Sequence, residues 1–414
     1  MKKPAVTVLG AGIVGICCAI ELQRSGYQVD LIDRREPASE TSYGNAGIFS
    51  LGSIAPLASP ALLSRLPGLA ANRYTDFRLH YPHFLQLLPW MLAFLKRCNR
   101  NTYFKDGELI NRLTVASVKA HQDLIKQSGA EHLALHNGGL RLYRQEKTFE
   151  KDALERELFR RYQVEYEVLD GEGIRKLEPD LNNRFVKGVW VNQTISIKDP
   201  QALCQHYARY FESLGGQIKQ LEVKGIQQVG DCWQLQYESS KLQTPKLVLC
   251  LGAWTPMLLK PLGYRNVIAI ERGYHSMLAP QPGKVLNRPI FDVDCNYVMA
   301  PMSAGLRVST GSNLTYRETK PTPKQIDQVL PHAREAFPLG EALIDEPWMG
   351  RRPSTPDSKP IIGPAPRHQN LWLAYAHAHM GLGMGPITGQ IIASQVAGKA
   401  PPLDVAGCSP NRFF

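Results

Sequence analysis

Ala5-Val6-Thr7-Val8-Leu9-Gly10-Ala11-Gly12-Ile13-Val14-Gly15 is the stretch that decides the fold. Its first five residues are a short β-branched, apolar run, the pattern of a buried strand. The next six fit G-x-G-x-x-G. In that motif the first glycine permits a tight turn, the second lets the backbone approach a pyrophosphate, and the third lets helix and strand pack closely. A helix is predicted from about Ile13 to Arg24, stopped by Gly26 as a C-terminal cap. Val29 to Ile32 reads as a second strand, which completes a βαβ opening. Asp33 stands at its end, eighteen residues past Gly15, where an acid meets a ribose hydroxyl. Alone the glycine motif is weak. Set between strand and helix and answered by an acid, it predicts a dinucleotide held at a helix N-terminus. The rival is a glycine-rich turn with no ligand.

Four further segments carry chemistry. Glu40 to Gly47 is a polar, glycine-rich loop; it either passes beside the cofactor or is a surface turn. Leu247 to Trp254 reads as a buried strand ending at Gly252. Strand ends of an open α/β sheet face ligands; the rival is ordinary termination. In Gly350-Arg351-Arg352-Pro353 one arginine offers a planar fork to a carboxylate, or both are solvated. His377 to Gly385 leads into a final helix predicted from about Thr388 to Val396, and glycines before a helix form a second anion cradle. On a strand His377 and His379 would face one way. No carboxylate or cysteine is placed to complete a metal site, so no metal is expected.

Elsewhere Ser117 to Ser128 reads as a helix and Gly138 to Tyr143 as a turn entering a strand. Asp199-Pro200 opens another helix, with Asp as N-cap and Pro at the first position. Val223 to Val229, Trp233 to Tyr237, Lys246 to Leu251, Tyr297 to Ala300 and Leu306 to Thr310 read as strands. The α/β signals fall in 1–55, 182–262 and 340–414, with strand-rich material in 56–181 and 263–339. Two interleaved domains are expected.

The chain has 414 residues, 43% hydrophobic and 21% charged, ordinary values for a globular protein. A net charge of +11 favours anionic partners, but no run of basic residues points to nucleic acid. The most apolar window, Phe84 to Leu95, is shorter than the ~18 residues of a membrane span. No signal peptide is read at the N-terminus, so a cytoplasmic enzyme is expected. None of the eight cysteines forms C-x-x-C, as for reduced core thiols. Pro89 is placed to start a helix in the Leu85 to Leu95 segment, and Lys96, Arg97 and Arg100 follow. That helix either lies on an anionic membrane surface or packs against the second domain.

The ordered set of motifs resembles the D-amino-acid oxidase-like FAD oxidoreductases, and within them the bacterial D-amino-acid dehydrogenases and hydroxyproline dehydrogenases. The resemblance runs from Gly10 to Phe413. It implies an α/β protein, with a Rossmann-type FAD-binding domain interleaved with a strand-rich α+β substrate domain. It places Gly10, Gly12, Ile13, Val14 and Gly15 along the FAD pyrophosphate, Asp33 on the ribose and Arg34 near the adenine. Thr41, Ser42, Asn45, Ala46 and Gly47 would pass beside the ribityl chain and isoalloxazine, and Val223 would meet the adenine. Gly252 and Trp254 join the cofactor set, and Gly381, Leu382, Gly383 and Met384 would set N–H groups near the flavin. Arg352 matches the arginine that pairs with the substrate carboxylate, with Arg351 expected to point away; Tyr274, His275, Tyr297 and His379 join it as pocket residues.

The chain departs from its relatives in places. Asp33 stands where many have Glu, and Ala376-His377 where Gly-His is common. No cysteine lies between Cys295 and Cys408, where some relatives tether flavin, so non-covalent FAD is expected. The implied reaction moves a hydride from the α-carbon of a small amino acid, a D-amino acid or a proline-like one, to flavin N5. Electrons then pass to a quinone or other carrier, with the enzyme peripheral on the cytoplasmic membrane. The alternatives are a soluble oxidase that reduces O₂ and the FAD subunit of a multi-chain dehydrogenase.

Overall fold

The computed structural model describes residues 3–74 and 77–414. Ala5–Leu9 lies in parallel between Gln28–Asp33 and Leu247–Leu249. Gln217–Gln220 and Leu371–Tyr375 extend this sheet in parallel on its two sides. Ile361–Pro364 closes one edge antiparallel. A parallel sheet is stable only when both faces are covered. On one face Val6, Val8, Val29 and Leu31 pack against the helices Ile13–Arg24, Pro200–Ser213 and Gly381–Val396. On the other, Leu9, Ile32, Leu247 and Leu249 meet Trp233 and Leu235 of a three-stranded antiparallel sheet, Val223–Val229, Cys232–Tyr237 and Ser240–Thr244. The alternation of strand side chains between two faces produces both interfaces.

A larger, eleven-stranded sheet is built around Ala269–Pro280. That strand pairs with Gly305–Thr310, Ser312–Thr315, Leu339–Ala342 and Trp348–Ser354. The helix Lys324–Ala336 packs Ile326, Val329 and Ala333 against it. Lys187–Val191 and Trp348–Ser354 both belong to this sheet. By position in the chain they fall in the 182–262 and 340–414 segments, among the nucleotide-binding material. Strand periodicity does not name the sheet a strand will join.

The opening strand and helix match the sequence expectation at both ends. Three helices differ. The helix predicted over Ser117 to Ser128 begins seventeen residues earlier, at Arg100. Asn99 caps it by accepting from Thr102 N at 3.0 Å. Gly107, which weakens a helix reading, is required by packing: a Cβ there would sit 2.8 Å from Leu158.

The final helix starts at Gly381 and runs through Pro386. Pro386 has no N–H to donate to the Leu382 carbonyl, but His121 Nε2 supplies that bond at 2.9 Å. Gly389 lets the helix close on the first one, since a Cβ there would lie 2.5 Å from the Cys17 carbonyl oxygen. Finally, Phe84–Leu95 is helical with Pro89 inside it, not at its start. The carbonyl left without a donor belongs to Leu85, which is exposed and open to water.

Candidate active site

The glycine turn shows three separate demands. Gly10 has φ +105°, and a Cβ there would be 2.5 Å from the Cys250 carbonyl oxygen. A Cβ on Gly15 would be 1.7 Å from the Gly10 carbonyl oxygen. Gly12 differs: its Cβ would meet only Ser42 Oγ, at 3.4 Å, and otherwise open space. That space is a cavity of about 300 Å³. Gly10, Gly12, Ile13 and Val14 line it, as do Asp33, Arg34, Ser42, Val223, Gly252 and Trp254. Asp33 accepts from Ala11 N at 2.7 Å and Arg35 N at 3.0 Å, so the shorter acid reaches the glycine turn. Burial raises its pKa against the pull of those N–H groups. Arg34 stacks over Trp254, 4.7 Å from the ring centroid.

The Glu40 to Gly47 loop is docked, not a free surface turn. Ser42 Oγ accepts from Ile13 N at 3.1 Å, and Thr41 Oγ1 donates to the Arg351 carbonyl at 3.0 Å. The Arg307 guanidinium, buried beneath it, donates to the Tyr43 carbonyl at 3.0 Å. Gly47 does not line this cavity. Its φ is +69°, and a Cβ there would meet the Ile197 carbonyl oxygen at 2.3 Å, so it shapes the loop.

A second cavity of about 380 Å³ adjoins the first, and Thr41, Asn45 and Ala378 line both. The N-terminus of the Gly381–Val396 helix sits at their junction: Gly381 and Leu382 line the first, Gly383 and Met384 the second. Ala46, His275, Arg352 and His379 also line the second. His377, by contrast, bonds Thr388 Oγ1 at 3.0 Å. That hydroxyl donates onward to the Met384 carbonyl, so His377 Nε2 is the donor, and burial holds its pKa down at about 3.

Adjacent strand residues point to opposite sides, and this separates the two arginines. Arg351 lines the first cavity and bonds the Arg317 carbonyl through Nε at 3.1 Å. Arg352 lines the second. Its guanidinium lies against Gly273, where a Cβ would be 2.2 Å from Nη2. Its closest hydrogen bond is a long one, 3.5 Å to the Gly311 carbonyl. No carboxylate among the described residues comes within ion-pair distance of it. Burial lowers its pKa, and Glu271, its cross-strand partner, opposes that. His379 projects into the cavity, and desolvation and Arg352 depress its pKa while Glu271 opposes them.

One expected pocket residue sits elsewhere. Tyr297 is fully buried in the core beside Met299 and Val308, its hydroxyl 3.5 Å from the His332 carbonyl, and lines neither cavity. Tyr274 is among the residues that line the second cavity, but its hydroxyl is taken up on the far side of the strand. Its neighbours Gly273 and His275 face inward, so its ring points the other way, where its hydroxyl accepts from Thr322 N at 2.8 Å.

Sequence reading missed Trp348, whose ring lies on Gly44 and Gly350 and stacks on His275. It also missed Ser117 and His121. Their four-residue spacing puts both on one helix face, where they bond the carbonyls of Gly383 and Leu382. Two polar residues at that spacing on an otherwise apolar face were the available signal.

The family profile described as FAD dependent oxidoreductase matches residues 5–395. The chain belongs to that family. It is 28% identical to a D-amino-acid oxidase of Bradyrhizobium diazoefficiens over 99% of both chains. It is also 28% identical to a D-amino acid dehydrogenase of Chromohalobacter salexigens over 99% of both. Among solved structures, glycine oxidase from Geobacillus kaustophilus superposes with a TM-score of 0.76 over the whole of both chains, at 19% identity. The protein is therefore an FAD-dependent oxidoreductase with an α/β fold. Its own residues fit the cofactor: an open glycine cradle, an acid beside it, and a second helix N-terminus where the cavities join.

Proposed function

We propose that the protein oxidises a small amino acid at its α-carbon. The observation that carries this is Arg352, half-buried at the second cavity with no carboxylate among the described residues within ion-pair distance. A partly desolvated guanidinium at a cavity wall favours a counter-charge, and a substrate carboxylate supplies one with bidentate geometry. The names of the two curated relatives support the same reading. FAD, when bound, accepts a hydride at flavin N5. Gly10, Gly12 and Asp33 would hold its nucleotide half, and the docked Thr41–Asn45 loop with the Gly381–Met384 helix start would flank its flavin half. Arg352 turns the α-hydrogen toward the cofactor, a contribution of orientation. The enclosing wall, Trp348 with Phe49 and Met384, keeps water from the transfer. Among the described residues no cysteine lines the second cavity, which supports the expectation of non-covalent FAD.

The test is an anaerobic panel of D- and L-amino acids and prolines, each followed by loss of flavin absorbance. At least one amino acid of one enantiomeric series is expected to bleach the flavin, and its decarboxylated amine is not. Equal bleaching by amine and amino acid, or bleaching by no amino acid, would sink the proposal.

We further propose that electrons leave to a quinone or carrier at a membrane surface, with molecular oxygen as the rival acceptor. Phe84–Leu95 packs one side inward and leaves apolar residues on the other, which supports this reading. Leu87, Trp90 and Met91 pack against Leu79, Ala269 and Leu314. On the outer side Leu85 is 79% exposed and Leu92 52%. Arg97 and Arg100 are engaged by Asp106 and Glu157, so the attachment is mainly apolar. Among the described residues no helix is long and apolar enough to cross a membrane. The protein is expected to float with anionic liposomes at low salt, and the double change Leu85→Glu, Leu92→Glu to abolish flotation. No flotation, together with fast hydrogen peroxide formation in air, would favour the oxygen-reducing enzyme.

A further inference from the structure

Two buried polar side chains at the second cavity lack a well-formed hydrogen bond. His275 on Ala269–Pro280 and Ser309 on Gly305–Thr310 are directly opposite in register, so they share one face of the sheet. Both line the cavity. His275 is 1% exposed and Ser309 8%. Among the described residues neither ring nitrogen of His275 and not the Ser309 hydroxyl makes a well-formed hydrogen bond; the Gly44 backbone beside the imidazole offers only a weak contact, which pulls against the lowering of its pKa. Leaving such a group unsatisfied costs about 1–3 kcal/mol. Buried polar atoms are otherwise almost always paired. Two orphans side by side at a cavity wall mark a place where a ligand completes the bonding. Trp348 stacks on the imidazole with centroids 5.0 Å apart and fixes the ring's plane.

The chemistry of the missing partner follows from the groups present. Burial, then Arg307 and Arg352, push the His275 pKa down to about 3. The imidazole is neutral, with one donor and one acceptor nitrogen, and a serine hydroxyl likewise does both. A partner that both donates and accepts matches them. An ammonium-bearing side chain would be repelled by the two guanidinium groups. A carboxylate only accepts and would leave the acceptor nitrogen unmatched. We propose that His275 and Ser309 form a side-chain subsite that selects amino acids carrying a hydroxyl or carboxamide. This rests on the reading that Arg352 holds the substrate carboxylate in the same cavity.

The test compares serine with its isostere 2-aminobutyrate, and threonine with valine, in the enantiomer the enzyme accepts. Wild type should favour the hydroxyl member in kcat/KM by roughly 5- to 150-fold, the ratio equivalent to one buried hydrogen bond. His275→Phe, which keeps the stack, and Ser309→Ala should each cut that ratio to within about a third of its logarithm or less. Binding provides a readout apart from turnover. The inert pair 3-hydroxypropanoate and butanoate, titrated by perturbation of the flavin spectrum, should show the same preference and the same loss. If amino acids bleach the flavin but both pairs are used equally by wild type, the subsite is wrong and the amino-acid reading stands. If no amino acid bleaches it and neither carboxylate binds, both fall together. If the variants lose FAD instead of selectivity, the two side chains serve the cofactor and the subsite is overturned.

Discussion

Arg352→Ala is expected to lower kcat/KM for amino acids by about two to three and a half decades, the equivalent of about 3–5 kcal/mol for breaking a buried charge pair, while FAD stays bound. The separation of effects comes from the strand. Arg352 lines the second cavity only, whereas Arg351 lines the first and its guanidinium lies 5.8 Å from the Trp254 ring centroid. Arg351→Ala should therefore weaken FAD retention more than substrate use at saturating FAD. Arg352→Lys should recover only part of the loss, because an ammonium cannot make two parallel bonds to a carboxylate. Gly273→Ala checks the geometry with the arginine in place. Its new Cβ would fall on the guanidinium, the movable end of a flexible side chain, so the fold survives and the fork is displaced. KM should rise by roughly ten- to a hundredfold, the equivalent of about 1.5–3 kcal/mol for a charged hydrogen bond. An amine lacking the carboxylate should be a poor substrate for wild type and change little in either variant. Near-normal turnover of an amino acid by Arg352→Ala would remove the anchor, and with it the main support for an amino-acid substrate.

The parts of the molecule legible from sequence were those where one residue type answers one local demand. Gly10, Gly12 and Gly15 sit in a turn whose requirements are nearly independent of the rest of the chain, and Asp33 follows by spacing. Asp199 and Pro200 announce a helix start by the same local logic. What escaped was set by contacts between distant segments. The Gly381–Val396 helix looks like a loop in its first turns because glycine and Pro386 have poor helix propensity. It forms because His121 repairs the proline's lost bond and because glycines allow close approach to Cys17. Tyr297 could be assigned to the correct strand, but which face turns to the cavity depends on pairing between distant strands, and the strand Ala269–Pro280 that carries Tyr274 and His275 was not read at all. The same alternation separated Arg351 from Arg352, which adjacency in the sequence alone left open. Trp348 carried no signal at all, since its role exists only where Gly44 leaves room for its ring.

Gly12→Val should yield a folded protein that has lost its FAD. Of the three fingerprint glycines, Gly12 alone has room for a side chain within the protein itself. Its backbone, φ −72° and ψ 173°, is an extended conformation that valine adopts readily. Loss of glycine at a helix N-cap costs on the order of 1 kcal/mol or less. The added methyls instead occupy the cavity where a pyrophosphate approaches the helix N-terminus. Crowding a filled site costs about 1–3 kcal/mol, and losing a charge-assisted N–H contact about 1.5–3 kcal/mol more. Together they predict FAD binding weaker by about two to four decades. The purified variant should be colourless, while wild type is yellow and releases intact FAD on acid denaturation. Its melting temperature should match that of wild-type protein stripped of FAD, because a ligand that binds only the native state adds stability by mass action. Gly15→Ala is the contrasting case: its Cβ would overlap the Gly10 carbonyl oxygen, so it should melt well below the stripped wild type. A yellow Gly12→Val protein with full flavin content would show that the pyrophosphate does not pass this turn. A Gly12→Val protein that melts as low as Gly15→Ala would show that the open space beside Gly12 belongs to the fold and not to the cofactor.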